Sequence, residues 1–409
     1  MGLPMPTRLG LPWQLPHDRP LNGPHPLVCS FLDGNPAVQP VAPEARDARP
    51  SHALVTEIAR KEQPLAASHL EPFVKWLNPA DQAAMESQAA GVDALFMHTT
   101  PLYAGSRPWI FHFESVPSLF MPFAFTGATR GLDVRSQGWF RLLRERLADP
   151  RCLRIFSHMR GSLAMLVQLF DHTAIAAKCH HVPLGIVPGG EAEIAPKFEQ
   201  GDRLRILFTN SLHGNPDSFY LRGGHHLLSA FARLRCDFPT AELTVLSAVP
   251  EDLMGRFPPS HFIGGNWINH WLDDATLDGL FLGHHLFALP AAGLHSHSLL
   301  RAMAHGCVPV VSDALGYEEY VAVLPGSTAT WRGVRELVYR DEPGGWVSDD
   351  YAPFRQPSET LAARLCGLLA QRADLPALHR SARANLEHCR QHHDKAASHR
   401  ALGLMLVNA

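Results

Sequence analysis

The chain of 409 residues sets 36 lysines and arginines against 39 aspartates and glutamates, for a formal net charge of −3. That balance leaves no basic footprint for nucleic acid or for an anionic membrane surface, and 46% apolar residues is the content of an ordinary globular chain, here long enough for two domains. No uninterrupted apolar stretch reaches the roughly 20 residues that span a bilayer, and the first residues lack the basic segment and apolar core of a signal peptide. The chain is therefore expected to be cytoplasmic, without a transmembrane segment. Its seven cysteines, Cys29, Cys152, Cys179, Cys236, Cys307, Cys366 and Cys389, form no C-x-x-C pair and mostly neighbour apolar residues, as reduced core thiols do.

Residues 1–26 are crowded with prolines and lack apolar periodicity, which predicts an extended tail. Residues 27–32 read as the first strand, followed by the turn Asp33-Gly34-Asn35-Pro36, where Gly34 would let backbone approach a ligand on the acceptor side. Helices are expected over 51–60 and 79–90. Short apolar strands then follow at 93–98, 109–113 and 153–157, the last running into a helix over 161–170, and this alternation is that of an α/β domain. Residues 181–188 (HVPLGIVP) read as its last strand and exit loop. The acidic, aperiodic stretch 189–202 is the expected linker, which places one domain at 27–196 and another at 203–385.

In the second half, residues 204–209 (LRILFT) form a strong strand candidate. A helix over 225–235 carries Leu227, Leu228, Phe231 and Leu234 on one face. A further strand is expected at 243–247 and a helix at 273–283, with helical sequence from 358 onward and residues 386–409 as a closing helical segment. Between them lies the most informative stretch. Leu286–Leu289 is an apolar run ended by Pro290, residues 291–298 are a small polar loop, and from Ser298 the positions Leu299, Leu300 and Met303 fall on one helical face. Gly306 stands where a left-handed C-cap belongs, and residues 308–311 form a β-branched strand suited to the interior of a parallel sheet. This is a βαβ unit whose loop meets a helix N-terminus, with Ser298 as the expected N-cap, and such a terminus attracts phosphate.

At these residues the chain resembles the retaining, family-4-type glycosyltransferases of the GT-B fold. Ala302, Met303, Ala304, Gly306, Pro309, Val310, Val311, Ser312, Asp313, Gly316, Glu319 and Val321 occupy places of that family's motif, in order. Residues 181–188 resemble the segment that closes its acceptor domain. The departure is at the family's two donor-site glutamates, which fall on Gly293 and Arg301. The resemblance implies two Rossmann-like domains facing a central cleft, a nucleoside-diphosphate sugar as donor, an acceptor it does not identify, and metal-independent transfer with no cofactor. It also implies a last helix, at 401–407, that crosses back to the first domain.

Carried over residue by residue, the resemblance sets Arg222 at the place of a lysine that neutralises the donor diphosphate, where a guanidinium would bond phosphate bidentately. Asn210 lies near the place of the family's arginine, and Gly223 would let backbone approach the ligand. His297, Ser298 and Leu299 mark the phosphate end of the βαβ loop. Arg301 pairs either with the diphosphate or with a carboxylate such as Glu319. In the first domain, His112 and Glu114 sit two residues apart at a strand's carboxyl end, on one face by the strand period. His112 matches a histidine that the family places near the donor sugar. A neutral imidazole could hold a sugar hydroxyl or take the acceptor's proton, and Glu114 could act as base or simply open a helix before Pro117. The pairs His284-His285 and His295-x-His297 complete no familiar metal-ligand spacing, so no metal is expected. Two other readings stay open: a GT-B-like binding subunit without catalysis, and a nucleotide-sugar epimerase.

Overall fold

The computed structural model describes residues 6–11, 32, 35–36, 38–41, 85–87, 90–98, 103, 105–120, 129–199, 203–210, 217–262, 265–321 and 328–407. Gly34, residues 27–31 of the strand expected over 27–32 and most of the two helices expected before residue 91 lie outside them; Leu32 and residues 85–87 are helical. The chain divides into two compact units, one of residues 1–185, 340–349 and 396–409, the other of residues 186–339 and 350–395. By contact the division falls at Gly185, ahead of the acidic stretch taken as linker.

The first unit holds a parallel six-stranded sheet of β1 (Thr7–Gly10), β2 (Val38–Val41), β3 (Ala94–His98), β4 (Trp109–His112), β5 (Cys152–Ser157) and β6 (Cys179–His181), in the order β2-β1-β3-β4-β5-β6. The central strands β3 and β4 are buried throughout, as expected of parallel strands covered on both faces. Helices α1 (Gly138–Ala148) and α2 (Arg160–Phe170) pack against β5, α2 also against β6, and bury Leu143, Leu147, Leu166 and Leu169.

The N-terminal segment departs from expectation. Residues 7–10 are not tail but the second strand of the sheet, bonded to both β2 and β3, with Leu9 fully buried. The prolines flank this strand instead of interrupting it, so every ladder donor is kept. The last strand and exit loop read at 181–188 correspond to β6, which ends at His181, and to a loop in which the Val182 N–H donates to the Ser157 carbonyl and Ile186 bridges Asp394; Pro183 and Pro188 carry no ladder N–H.

The second unit is a parallel sheet of β7 (Arg205–Thr209), β8 (Glu242–Leu246), β9 (Trp267–Ile268), β10 (Leu286–Leu289), β11 (Val308–Ser312) and β12 (Ala329–Trp331), in the order β12-β11-β10-β7-β8-β9. Numbered within the unit, this is the doubly wound order of the dinucleotide-binding fold. Among its helices are α3 (Gly224–Asp237), α4 (Asp274–Gly283), α5 (Ser296–Ala304), α6 (Val334–Val338), α7 (Glu359–Gln371) and α8 (Leu375–His392). The stripe read on α3 is in the core: Leu227, Leu228, Phe231 and Leu234 are at most 1% exposed. Gly306 takes the left-handed conformation after α5, at φ +71°.

A hairpin absent from the sequence reading, β13 (Tyr339–Glu342) and β14 (Trp346–Asp349), leaves the second unit and packs in the first. Thr129 Oγ1 bonds the Asp349 carboxylate at 2.5 Å, the Thr129 N–H donates to the Asp349 carbonyl at 2.8 Å, and Trp346 rests near Phe120. The closing helix α9 (Lys395–Val407) returns to the first unit from residue 396, where Ser398 Oγ donates to the Pro183 carbonyl. Among the described residues no helix is long and apolar enough to cross a membrane.

Candidate functional site

In a doubly wound sheet the crevice opens where strand order reverses, outside the carboxyl ends of the strands. In the second unit that point lies between β7 and β10, which are hydrogen-bonded neighbours. Asn210 follows β7 and Pro290 follows β10. The Asn210 N–H donates to the Leu246 carbonyl, and its amide Nδ2 donates to Ser218 Oγ at 2.6 Å and Ser247 Oγ at 3.0 Å. Its Oδ1 faces the Arg222 Nε at 3.5 Å. The same guanidinium donates through an Nη to His295 Nδ1. Because arginine can only donate, Nδ1 of His295 is the acceptor and the ring proton sits on Nε2. Burial and the Arg222 charge both hold the His295 pKa well below its ordinary value, so the imidazole is neutral.

Gly223 makes this arrangement possible. It has φ +74°, and a Cβ there would stand 1.9 Å from the Pro290 carbonyl oxygen. The turn after Arg222 thus presses against the end of β10, and the Ala292 N–H closes on the Leu221 carbonyl at 2.8 Å. Three hydroxyls fix the following loop: Ser312 Oγ donates to the Ala291 carbonyl at 2.5 Å, Tyr339 to that of Ala292 at 2.7 Å and Tyr317 to that of Gly293 at 3.3 Å. A Cβ on Gly293 would meet nothing nearer than the Tyr351 hydroxyl, at 3.4 Å. Gly293 thus has ordinary room beside it, rimmed by tyrosines.

Helix α5 starts at Ser296 with His295 as its N-cap residue, whose side chain makes no capping bond. Ser298 is therefore the third residue of the helix and not its N-cap; its N–H still belongs to the first turn, whose donors point along the axis toward the loop. The Leu299 N–H already donates to the His295 carbonyl and its side chain is fully buried, so this residue supports the core. His297 is neutral, its pKa lowered to about 4 by burial and then by the Arg301 charge.

Arg301 is held by carboxylates of α4. Its Nε donates to Asp278 at 2.6 Å, one Nη to the Asp274 carboxylate at 2.8 Å and the other to the Asp274 carbonyl at 2.7 Å. Burial works against the charge, but these bonds outweigh it and hold the guanidinium pKa above its ordinary value. The carboxylates come from α4 and not from Glu319, which stands half-buried in the helical turn Tyr317–Val321. Asp313 of the matched motif is a cap: its carboxylate accepts the N–H groups of Gly333, Val334 and Arg335 at 2.8–2.9 Å.

In the first unit His112 ends β4 and is fully buried, while Glu114, two residues on, is half-buried with its carbonyl accepting from Ser157 Oγ at 3.4 Å. His112 lies opposite His98 of β3 and stacks near His158, just beyond β5. The carboxyl edge of this sheet thus carries a row of imidazoles, of which the sequence reading singled out one.

The other histidine pair read from the sequence is structural. His284 Nδ1 donates to the Leu280 carbonyl at 2.6 Å, leaving Nε2 to accept from Thr244 Oγ1 at 2.8 Å. His285 Nδ1 accepts the Arg205 N–H at 3.0 Å, so its Nε2 donates to the Lys197 carbonyl at 2.6 Å. Among the described residues no three histidine, cysteine or acidic side chains converge as a metal-ligand group.

No protein-family model matches the chain, and no curated protein matches it. Solved structures do. HepE of Anabaena in complex with UDP and glucose is similar over 98% of this chain and 100% of that one, with 11% identity and a TM-score of 0.60. A sucrose-phosphate synthase from Thermosynechococcus elongatus covers 92% and 84% at 10% identity, with a TM-score of 0.57. A UDP-forming α,α-trehalose-phosphate synthase from Burkholderia xenovorans covers 87% and 85% at 13% identity, with a TM-score of 0.53. Two six-stranded parallel sheets flanked by helices, matched across nearly the whole chain, give this protein the fold of the GT-B glycosyltransferases.

Proposed function

We propose that this chain is a glycosyltransferase that binds a nucleoside-diphosphate sugar at the carboxyl edge of its second sheet and passes the sugar to an acceptor. The observation that carries the reading is Arg222. Its guanidinium is held by Asn210 and a neutral His295 at the strand-order reversal, beside the first turn of α5. A fixed cation and a helix N-terminus at one crevice suit a diphosphate, whose negative charge grows as the sugar leaves. Neutral His295 accepts from Arg222 without competing for the anion. The reading is strengthened by HepE, a fold neighbour solved with UDP-glucose.

In this account Arg222 and the N–H groups at Ser296, His297 and Ser298 stabilise the departing diphosphate. His112 takes the acceptor's proton or holds a sugar hydroxyl, with Glu114 close by in sequence to orient it. The test is nucleotide release from a panel of nucleotide sugars, with and without candidate acceptors. Wild-type protein should release diphosphate from at least one donor and Arg222→Ala at least a hundredfold more slowly; release unaffected by that substitution would sink the assignment.

A second reading, a nucleotide-binding subunit without transfer, is favoured by one observation: neither Gly293 nor the fully engaged Arg301 offers a group to the sugar. Nucleotide binding without release from any donor would select it.

A further inference from the structure

The loop between β10 and α5 turns its peptide groups one way. The carbonyls of Ala292 and Gly293 face the Tyr339 and Tyr317 hydroxyls, which donate to them at 2.7 Å and 3.3 Å. In a trans peptide the C=O and the following N–H point in opposite directions. The N–H groups of Gly293 and Leu294 therefore face away from those two tyrosines, and neither has an acceptor among the described residues. The Ala291 carbonyl is engaged as well, by Ser312 Oγ at 2.5 Å. The loop thus has its carbonyls tied to side chains and keeps two successive backbone donors, a pattern that receives anions. The side chains continue this bias. A Cβ on Gly293 would meet the Tyr351 hydroxyl at 3.4 Å and the Tyr339 hydroxyl at 3.9 Å, so a ligand on that side has phenols as neighbours. The carboxylates of the flanking elements are occupied: Asp274 and Asp278 by Arg301, Asp313 by the start of α6, Glu318 by the Gly316 N–H at 2.8 Å, and Glu319 has a partner of its own. All these residues belong to the second unit.

We propose that the donor is the nucleoside diphosphate of a sugar acid, whose carboxylate lies on the open side of Gly293 and accepts from the Gly293 and Leu294 N–H groups and the Tyr351 hydroxyl. The inference rests on the reading of Arg222 and the first turn of α5 as the diphosphate site. The sugar is bonded to that diphosphate, and Gly293 stands two residues ahead of His295, which bonds Arg222 and opens α5. The two sets of donors are therefore neighbours along one loop. An ionised carboxylate only accepts hydrogen bonds, on two oxygens, whereas a sugar hydroxyl must also place a proton of its own. The open side of Gly293 offers donors, so it suits the carboxylate better. Bonds to an ionised acceptor are also roughly twice as strong as those to a neutral one. A hexose with a hydroxyl in that place would bond the same groups and gain less from them.

The test is calorimetric titration with UDP-glucuronate against UDP-glucose and UDP-N-acetylglucosamine, with GDP-mannuronate against GDP-mannose, and with UDP and GDP alone. On the base that the chain binds, the uronate should bind at least about tenfold more tightly than the neutral sugar, a difference of about 1.4 kcal/mol. Two variants read the same ratio. Tyr351→Phe removes one of the three donors and should lower the preference for the uronate by about threefold or more. Gly293→Asp sets a like charge beside the sugar's carboxylate and should bring the ratio to one or below; the position takes a side chain, since its backbone is not left-handed and its Cβ has ordinary room. A hexose or acetamido sugar bound as tightly as the uronate overturns the proposal and leaves the diphosphate reading standing. A uronate preference that Gly293→Asp does not move overturns it equally. A chain that binds no nucleoside diphosphate loses the diphosphate site as well, and the proposal with it.

Discussion

Replacing Arg301 by methionine separates two roles that its sequence position leaves open. The alkyl stem stays while the guanidinium and its bonds to Asp278, the Asp274 carboxylate and the Asp274 carbonyl are lost. The Asp274 carboxylate is 91% exposed, so that pair is worth about 0.5 kcal/mol. The Asp278 pair involves a guanidinium 11% exposed and a carboxylate 35% exposed. Together with the bond to the backbone carbonyl it contributes about 2 kcal/mol. Asp278 keeps His305 Nε2 at 3.3 Å and can rehydrate, so no large penalty for a stranded charge is added. The expected loss is therefore about 2–3 kcal/mol, read as a fall of about 1 M in the urea midpoint of the second unit. Nucleotide affinity, measured by calorimetry on the folded variant, should stay within about twofold, since a change of 0.4 kcal/mol is about a factor of two. Affinity reduced tenfold with an unmoved urea midpoint would refute the reasoning and put Arg301 back on the ligand.

Gly223→Ala should be more damaging than its size suggests, because the left-handed backbone costs about 1–2 kcal/mol and the new Cβ would meet the Pro290 carbonyl at 1.9 Å. A urea midpoint equal to wild type would contradict the close approach. Asp313→Ala removes the acceptor of three backbone N–H groups and should cost about 2 kcal/mol, speeding hydrogen exchange at Val334 and Arg335 by about thirtyfold; unchanged exchange would argue against the cap. Acid should destabilise the second unit early. Burial lowers His225 to about 3 and His226, His284 and His285 to about 4, each below its unfolded value near 6.5. The unfolded state therefore binds more protons between those limits. The stability from keeping these rings neutral is complete above pH 6.5 and falls toward pH 4, by up to about 1.4 kcal/mol per pH unit and group. Urea midpoints taken from pH 7 to pH 5 should report at least two protons taken up on unfolding, and a flat profile would be the opposite result.

Much of this was legible in the chain. The run 286–312 showed its strand, helix and strand because the periodicity changes from continuous to helical and back, and Gly306 marked the helix end as it should. The start of α5 was not legible: Ser298 is the better capping residue by type, yet the helix begins two residues earlier, where Tyr317 and Arg222 hold the loop around His295. Those partners are far away in sequence, so no local rule finds them. The role of Arg301 could have been suspected, since Asp274 and Asp278 lie four apart and share one face of a predicted helix, but only packing brings α4 beside α5. The strand at residues 7–10 was hidden by prolines that lie at its ends, and the hairpin at 339–349 by its weak apolar alternation. His98 stood in plain view at the end of a predicted strand; its partner was unreadable because one sequence does not say which strands are neighbours.

The central claim is that Arg222, set by Asn210 and His295 at the end of β7 and β10, holds the diphosphate of a nucleotide. Calorimetric titration of the wild-type chain and of Arg222→Ala with a set of nucleoside diphosphates tests it most directly. The account predicts a dissociation constant between about 1 μM and 1 mM for at least one of them, in the usual range for an enzyme's substrate site, and at least tenfold weaker binding in the folded variant. Heat of binding that is absent for every nucleoside diphosphate, or identical in the two proteins, would contradict it.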